Sequence, residues 1–127
     1  MTNFEKELLL KDLCARLPHR VKVESIFIDL DTKEHILCGI EVLDATSLLM
    51  IRDELGEFKP YLFPLSNMTE EQKVIYGDLC YAIIHSLAWD MQAALNELVD
   101  WLNKNHFDFR DLIQMGLAID ATGLDIY

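Results

Sequence analysis

Cysteine is scarce in this chain, and its arrangement excludes more than its number does. The 127 residues hold 3 cysteines, Cys14, Cys38 and Cys80. They are odd in number, far apart, and lack both a CxxC pair and a histidine at ligand spacing. Neither a disulfide framework nor a metal site is expected, and the three read as free thiols. Glycine and proline are sparse too, at 5 and 3, which removes collagen-like and low-complexity architectures. Gly39, Gly56, Gly77, Gly116 and Gly123 form no GxGxxG and no P-loop, so no nucleotide cofactor is expected.

Cations are the next shortage. Lys and Arg number 11 against 22 Asp and Glu, a formal net charge of −11. Direct binding to nucleic acid or to an anionic membrane requires clustered cations that displace counterions, so neither is expected here. A long apolar run is missing as well. Leu79 to Ala88 is interrupted by His85 and Ser86 and is too short to span a bilayer. The start, MTNFEKELLLKDL, lacks a cationic segment followed by an apolar run and a small-residue cleavage site. A cytoplasmic location is the expectation that follows.

What is present is the composition of a globular protein, 51% hydrophobic and 26% charged, and one domain over residues 1–127 is expected. Asn3 can cap a first helix over about residues 4 to 17, with Phe4, Leu8, Leu9, Leu13 or Cys14, and Leu17 at helical spacing, before Pro18 stops it. The period then changes to two. Val21 and Val23 alternate with polar residues, and Ile26, Ile28 and Leu30 follow in the opposite phase, so a β-bulge or a change of buried face is expected near Ser25. After a polar turn at Asp31, Thr32 and Lys33, Ile36, Cys38, Ile40 and Val42 share one face of a second, antiparallel strand. Residues 47 to 51 read as a short third strand or a helical turn, with the strand favoured. Residues 52 to 68 read as a loop punctuated by Gly56, Pro60 and Pro64 and packed down by its aromatics.

Thr69 and Gln72 form a capping box. From there Ile75, Leu79, Ile83, Leu87, Met91, Leu95, Leu98 and Leu102 recur at helical steps. One straight helix over 69 to 105 would be about 55 Å long at about 1.5 Å per residue. That overruns a domain with a radius of gyration near 14 Å, given about 2.2·N^0.38 Å. A break is therefore expected between His85 and Asp90, with Asp90 capping the second half; an unbroken helix would need a partner. Asp108 is placed to cap a last short helix carrying Phe109, Leu112, Ile113 and Met115 and closed by Gly116, and residues 117 to 127 read as an extended, docked tail. The fold class is α+β: an N-terminal helix, a small antiparallel sheet of two or three strands, then a C-terminal helical half.

Three blocks, LLLKDLCARLPHRVKV, FKPYLFPLSNMTEEQ and WLNKNHFDFRDLIQMGLAIDATGLDIY, cover about half the chain. They resemble segments of a family of small proteins from Bacteroides-type gut bacteria and their phages or mobile elements. Members of that family carry K-P-Y-L-x-P-[ML]-S-x-M-T-E-E and W-L-N-x-[HN]-H-F-D-[YF]-R-x-L-I-x-x-G-L-A. The family has no assigned activity, so the resemblance implies one domain and a phage or mobile-element origin, and it supplies no catalytic residue. Where members have a longer and more polar middle, this chain has the apolar DLCYAIIHSLAWDMQAAL.

The densest polar cluster is His106, Asp108 and Arg110. As an acid–base or metal site it lacks a third ligand at regular spacing, and a helix-capping Asp beside a His that serves a helix end accounts for it as well. Tyr61, Phe63, Trp89, Trp101 and Phe58 supply aromatic area for a protein-binding surface, without the basic stripe a nucleic-acid platform needs. The leading expectation is a non-enzymatic accessory protein that binds another protein, or itself, through an apolar helix face or the 58–65 segment. An acidic mimic of DNA that occupies a DNA-binding protein or nuclease is one alternative. A small enzyme or ligand-binding domain at His106, Asp108 and Arg110 is another.

Overall fold

The computed structural model describes residues 1–28, 31, 32, 34–87 and 90–127; Leu30, Lys33 and Trp89 lie outside the described residues. Its class is α+β, with four helices and a small mixed sheet of five strands among the described residues. No helix among them is long and apolar enough to cross a membrane.

Helix α1 runs Asn3–Arg16. Its cap is Thr2, one residue before the expected Asn3. The Glu5 amide donates to the Thr2 hydroxyl at 3.1 Å and the Glu5 carboxylate accepts from the Thr2 amide at 3.3 Å. This reciprocal pairing satisfies two amides that the helix itself cannot. The buried stripe of α1 is Leu9, Asp12, Leu13 and Arg16, so two charged residues occupy what an apolar count assigns to leucines, while Phe4 is exposed.

Strands β1 (Lys22–Ile28) and β2 (His35–Val42) pair antiparallel. The expected irregularity is there, although the extra residue stands on β2. Ser25 faces Gly39 and Ile26 faces Leu37, so Cys38 has no opposite number. Gly39 sits at φ 95°, a conformation that costs glycine little and a side-chain-bearing residue much, which is how the bulge is accommodated. Val21, Val23 and Ser25 are buried and Phe27 continues on their face, so β1 keeps its phase. Ile40 and Val42 of β2 are exposed.

Residues 47 to 51 are helical, a correction to the strand expectation. Helix α2 spans Ala45–Arg52, with the Asp44 carboxylate accepting from the Ser47 amide at 2.9 Å. Ser47 and Ile51, one turn apart, are its buried positions. The segment expected to be a loop is also regular: β3 covers Gly56–Pro64. It pairs antiparallel with β1 from Gly56 to Pro60 and, beyond that, parallel with two short strands. These are β4 (Phe107–Asp108), against Phe63 and Pro64, and β5 (Ile119–Asp120), against Tyr61 and Leu62. The sheet is thus mixed and larger than two or three antiparallel strands. Pro60 stands at the last rung shared with β1, and the chain continues past it with new partners. A Cβ on Gly56 would lie 3.1 Å from the Ile26 carbonyl oxygen and 3.2 Å from the Phe58 ring, so any other residue on this rung makes those neighbours give by a few tenths of an ångström.

Helix α3, Glu70–Ile84, starts at Thr69 through the expected capping box, with Gln72 amide to Thr69 hydroxyl at 3.1 Å and Thr69 amide to Gln72 carbonyl at 2.9 Å. It ends where the break was expected, and α4 spans Met91–Lys104. Asp90 occupies the cap position without a side-chain cap bond. No third helix follows: residues 112–116 form turns. The tail docks instead through β5, the Ala121 amide to Leu62 carbonyl bond of 2.8 Å, and the Tyr127 hydroxyl donating to the Tyr61 carbonyl at 2.7 Å.

Two apolar clusters hold these elements. The larger joins Leu9 and Leu13 of α1, Val21 just before β1 and Val23 within it, Ile51 of α2, Phe58 and Leu62 of β3, and Leu112 and Leu117. The smaller gathers Phe63, Tyr76, Leu98 and Trp101 around Met68, Leu102 and Phe107, and fastens the base of the α3–α4 hairpin to the sheet.

Candidate functional site

His106, Asp108 and Arg110 follow one another closely in sequence, and the chain sends them in three directions. Asp108 accepts from the amides of Leu112 and Ile113, both at 3.0 Å. No helix starts here, so the expected capping role is replaced by a carboxylate that closes the turn at residues 112–116. Arg110 leaves for α1, where one guanidinium nitrogen donates to Asp12 at 2.6 Å while its plane lies 4.3 Å from the centre of the Phe109 ring. His106 takes a left-handed backbone, φ 61°. Its ring stacks on Tyr127, with centroids 3.8 Å apart and 14° between planes, and its carbonyl accepts from the Phe63 amide at 2.8 Å.

Under these residues lies a charge cluster that residue spacing alone does not announce. Asp12 and Arg16 have side chains 0% exposed and meet at 2.8 Å, one helical turn apart. Arg16 also donates to the Phe107 carbonyl at 2.6 Å. Asp12 therefore holds two arginines, Arg16 through one carboxylate oxygen and Arg110 through the other. Nε and Nη2 of Arg16 are bonded in this way, while its buried Nη1 has no hydrogen-bond partner among the described residues, so the attraction of the carboxylate has to offset part of the burial cost. Each charged side chain here already serves the joint between α1 and the C-terminal segment, so the cluster works as a clasp.

The His106 imidazole is affected by its position. Burial first, then the positive charges of Arg16, His19 and Lys22, lowers its pKa from 6.5 to about 4. The neutral ring is the folded form at ordinary pH. Because the unfolded chain takes up this proton near pH 6.5 and the folded chain only near 4, stability is complete above 6.5 and falls as the pH drops through that window. After allowance for solvent screening, the loss from this one group is expected to be on the order of 1–2 kcal/mol. In urea denaturation at pH 7.5 and pH 4.5, His106→Asn, which suits the left-handed backbone, should lose less stability than wild type over that interval; equal losses would show that His106 is solvated.

No described cavity at these residues reaches the size of a ligand site. The space beside Asp108, lined by Pro64, Leu65, Asp111, Ile113 and Gln114, holds about 240 Å³. The one between α1, α2 and β3, lined by Leu9, Ile51, Gly56, Phe58 and Leu117, holds about 180 Å³. Pockets for small molecules measure about 300–1,000 Å³. No group of three His, Cys, Asp or Glu that could hold a metal occurs among the described residues.

The aromatic candidates divide. Phe58 is 2% exposed, in edge contact with Phe27 at 5.7 Å, and Tyr61 is buried too. Both belong to a central strand and cannot meet a partner. Phe63 packs between Phe107 and Tyr127. Trp101, half-buried, stacks on Phe107 at 5.6 Å and meets Tyr76 at 6.4 Å, which places it in the smaller cluster.

The surface that does stand open is the α3–α4 hairpin. α3 has no buried residue at all, because it packs mainly against α4 and only its first half reaches the smaller cluster through Tyr76. Of the apolar stripe, Leu102 is buried and Leu79, Ile83 and Leu98 are partly so, whereas Leu87, Met91 and Leu95 are exposed. Val74, Tyr81 and Ile84 are exposed on α3 as well, Ile84 at 77%. These three fall at intervals of seven and three residues, along one side of the helix. Sequence periodicity identified an apolar segment here and missed which residues stay open, since a stripe is read as inward whether or not a second layer exists to cover it. No family model matches this chain, and neither does any curated protein or solved structure.

Proposed function

We propose that this protein is a non-enzymatic accessory protein that acts by binding protein, and that the α3–α4 hairpin is its binding surface. The observation that carries this reading is the exposure of Val74, Tyr81 and Ile84 on α3, Met91 and Leu95 on α4, and Leu87 in the turn between them. At about 200 Å² for a large side chain, exposures from 38% to 77% leave on the order of 700 Å² of apolar surface. That total, spread over the two helices and the turn between them, is comparable to the about 300–600 Å² of the largest patch on an ordinary monomer. The resemblance of the three sequence blocks to the gut-bacterial family supports an accessory role on a phage or mobile element, and it rests on those segments alone.

The test compares tagged wild type with the double variant Ile84→Glu and Leu87→Glu in pull-downs from the native host. Both side chains are exposed, so circular dichroism and melting temperature should stay within the small range of surface substitutions. Any specifically retained protein, an untagged copy of this chain included, should be lost from the variant. Retention of the same partners by both forms would refute the hairpin as the binding surface.

A further inference from the structure

We infer that the occupant of the hairpin face is a second copy of this chain, two α3–α4 hairpins closing into a four-helix layer. The inference rests on the hairpin being the binding surface, and two observations select the occupant.

The first is how incompletely the hairpin is covered. Two helices alone cannot enclose a core: each hides one side against the other and leaves its remaining apolar side in water. Leu79, Cys80, Ile83, Ala94 and Leu98, which line the inside of the pair, are only partly buried. A second hairpin laid across the first supplies the missing layer, in the geometry of a four-helix bundle. The exposed area also has the right size. On the order of 700 Å² of open apolar surface per copy approaches the about 800 Å² per partner of a standard stable interface.

The second observation is charge. Two copies of a chain carrying −11 repel each other over most approaches, and a cationic partner would be drawn to those same acidic surfaces. Between Leu79 and Val99, however, Asp90 and Glu97 are the only charged residues. Copies can therefore meet at the outer end of the hairpin, around Tyr81, Ile84, Leu87, Met91 and Leu95, with little opposing charge, the carboxylates of Glu70, Glu71 and Asp78 lying nearer its base beside Val74, whereas a cationic partner finds few carboxylates at that end to hold it. Gln92 and Asn96, hydrogen-bonded to each other at 3.0 Å, give α4 a neutral polar flank. Depletion of charge around an apolar centre is the composition of a homodimer interface. Residual repulsion between the acidic bodies makes salt strengthen this association, opposite to the response of an acidic protein binding a basic one.

Sedimentation equilibrium of the purified full chain, across concentration and at low and high salt, reads the outcome. A monomer–dimer equilibrium that tightens with salt is expected. Ile84→Glu with Leu87→Glu should weaken it by about 30-fold or more, the size of one lost hot-spot contact, with unchanged circular dichroism. Should the charged variant lose its fold, Ile84→Ser with Leu87→Ser is the milder version of the same comparison. A wild type that stays monomeric at all concentrations overturns this inference; if the hairpin variant still loses a different protein in pull-downs, the binding-surface reading survives it. Dimers that persist unchanged in the variants overturn it as well, by placing the self-association elsewhere.

Discussion

Replacing Asp12 by Ala is expected to cost about 3–5 kcal/mol of folding stability, the usual result of removing one partner from a buried ion pair. Asp12 and Arg16 are both 0% exposed, and the carboxylate is the acceptor for two guanidinium groups, at 2.8 Å and 2.6 Å. Without it, Arg16 keeps only the Phe107 carbonyl and its charge remains in a site closed to water. Neutralising that charge by deprotonation is not available to arginine. Arg16→Met should cost less, since it takes away the buried charge and leaves Asp12 paired with Arg110. Urea denaturation of the two variants followed by circular dichroism measures the difference. A loss under about 1 kcal/mol for Asp12→Ala would mean that water reaches the pair, for that is the range of exposed ion pairs.

The same pair illustrates what could and could not be read from the sequence. Position in the repeat places Asp12 and Arg16 beside Leu9 and Leu13 on one side of α1, but a charged residue is assigned to the solvent face by default. Nothing local announces that Arg110, 98 residues later, closes the cluster. Local chemistry was legible where it was self-contained. Thr69 and Gln72 make their capping box without help from the rest of the fold, and the phase change near Ser25 located the bulge, though not the strand that carries the extra residue. The break between α3 and α4 followed from helix length against domain size.

Elements stabilised at a distance were misread. Residues 47 to 51 have the short apolar run of a buried strand; the Asp44 cap and the packing of Ile51 into the larger cluster make them helical. Gly56, Pro60 and Pro64 are loop signals in isolation. Their segment is nevertheless the strand on which the sheet is built, since partners on β1, β4 and β5 determine it and all three are remote in sequence. Of the candidate polar site, a local backbone bond from Asp108 was legible, but the helix it was expected to cap is absent: its carboxylate accepts from amides four and five residues away, in a turn. The stacking of His106 on Tyr127 was not, as it depends on where the docked tail ends.

Phe58→Ala is the second large effect, and it separates the core from the binding surface more sharply than any inspection of the sequence. A partner-contacting aromatic would lose association and keep its fold. Phe58 instead sits at 2% exposure, with its ring against Phe27, on the strand that β1 and β5 flank. Truncating a buried Phe costs about 3–5 kcal/mol, through lost transfer energy and the cavity left behind. The neighbouring space of about 180 Å³ shared with Leu9 and Ile51 would be enlarged by the truncation. For a domain of this size the melting temperature should fall by about 10–20 °C. Ile84→Glu, at the other extreme of exposure, should barely move it. Thermal melts of both variants decide the assignment: a Phe58→Ala protein that melts like wild type would take residue 58 out of the core, and with it the strand that organises the sheet.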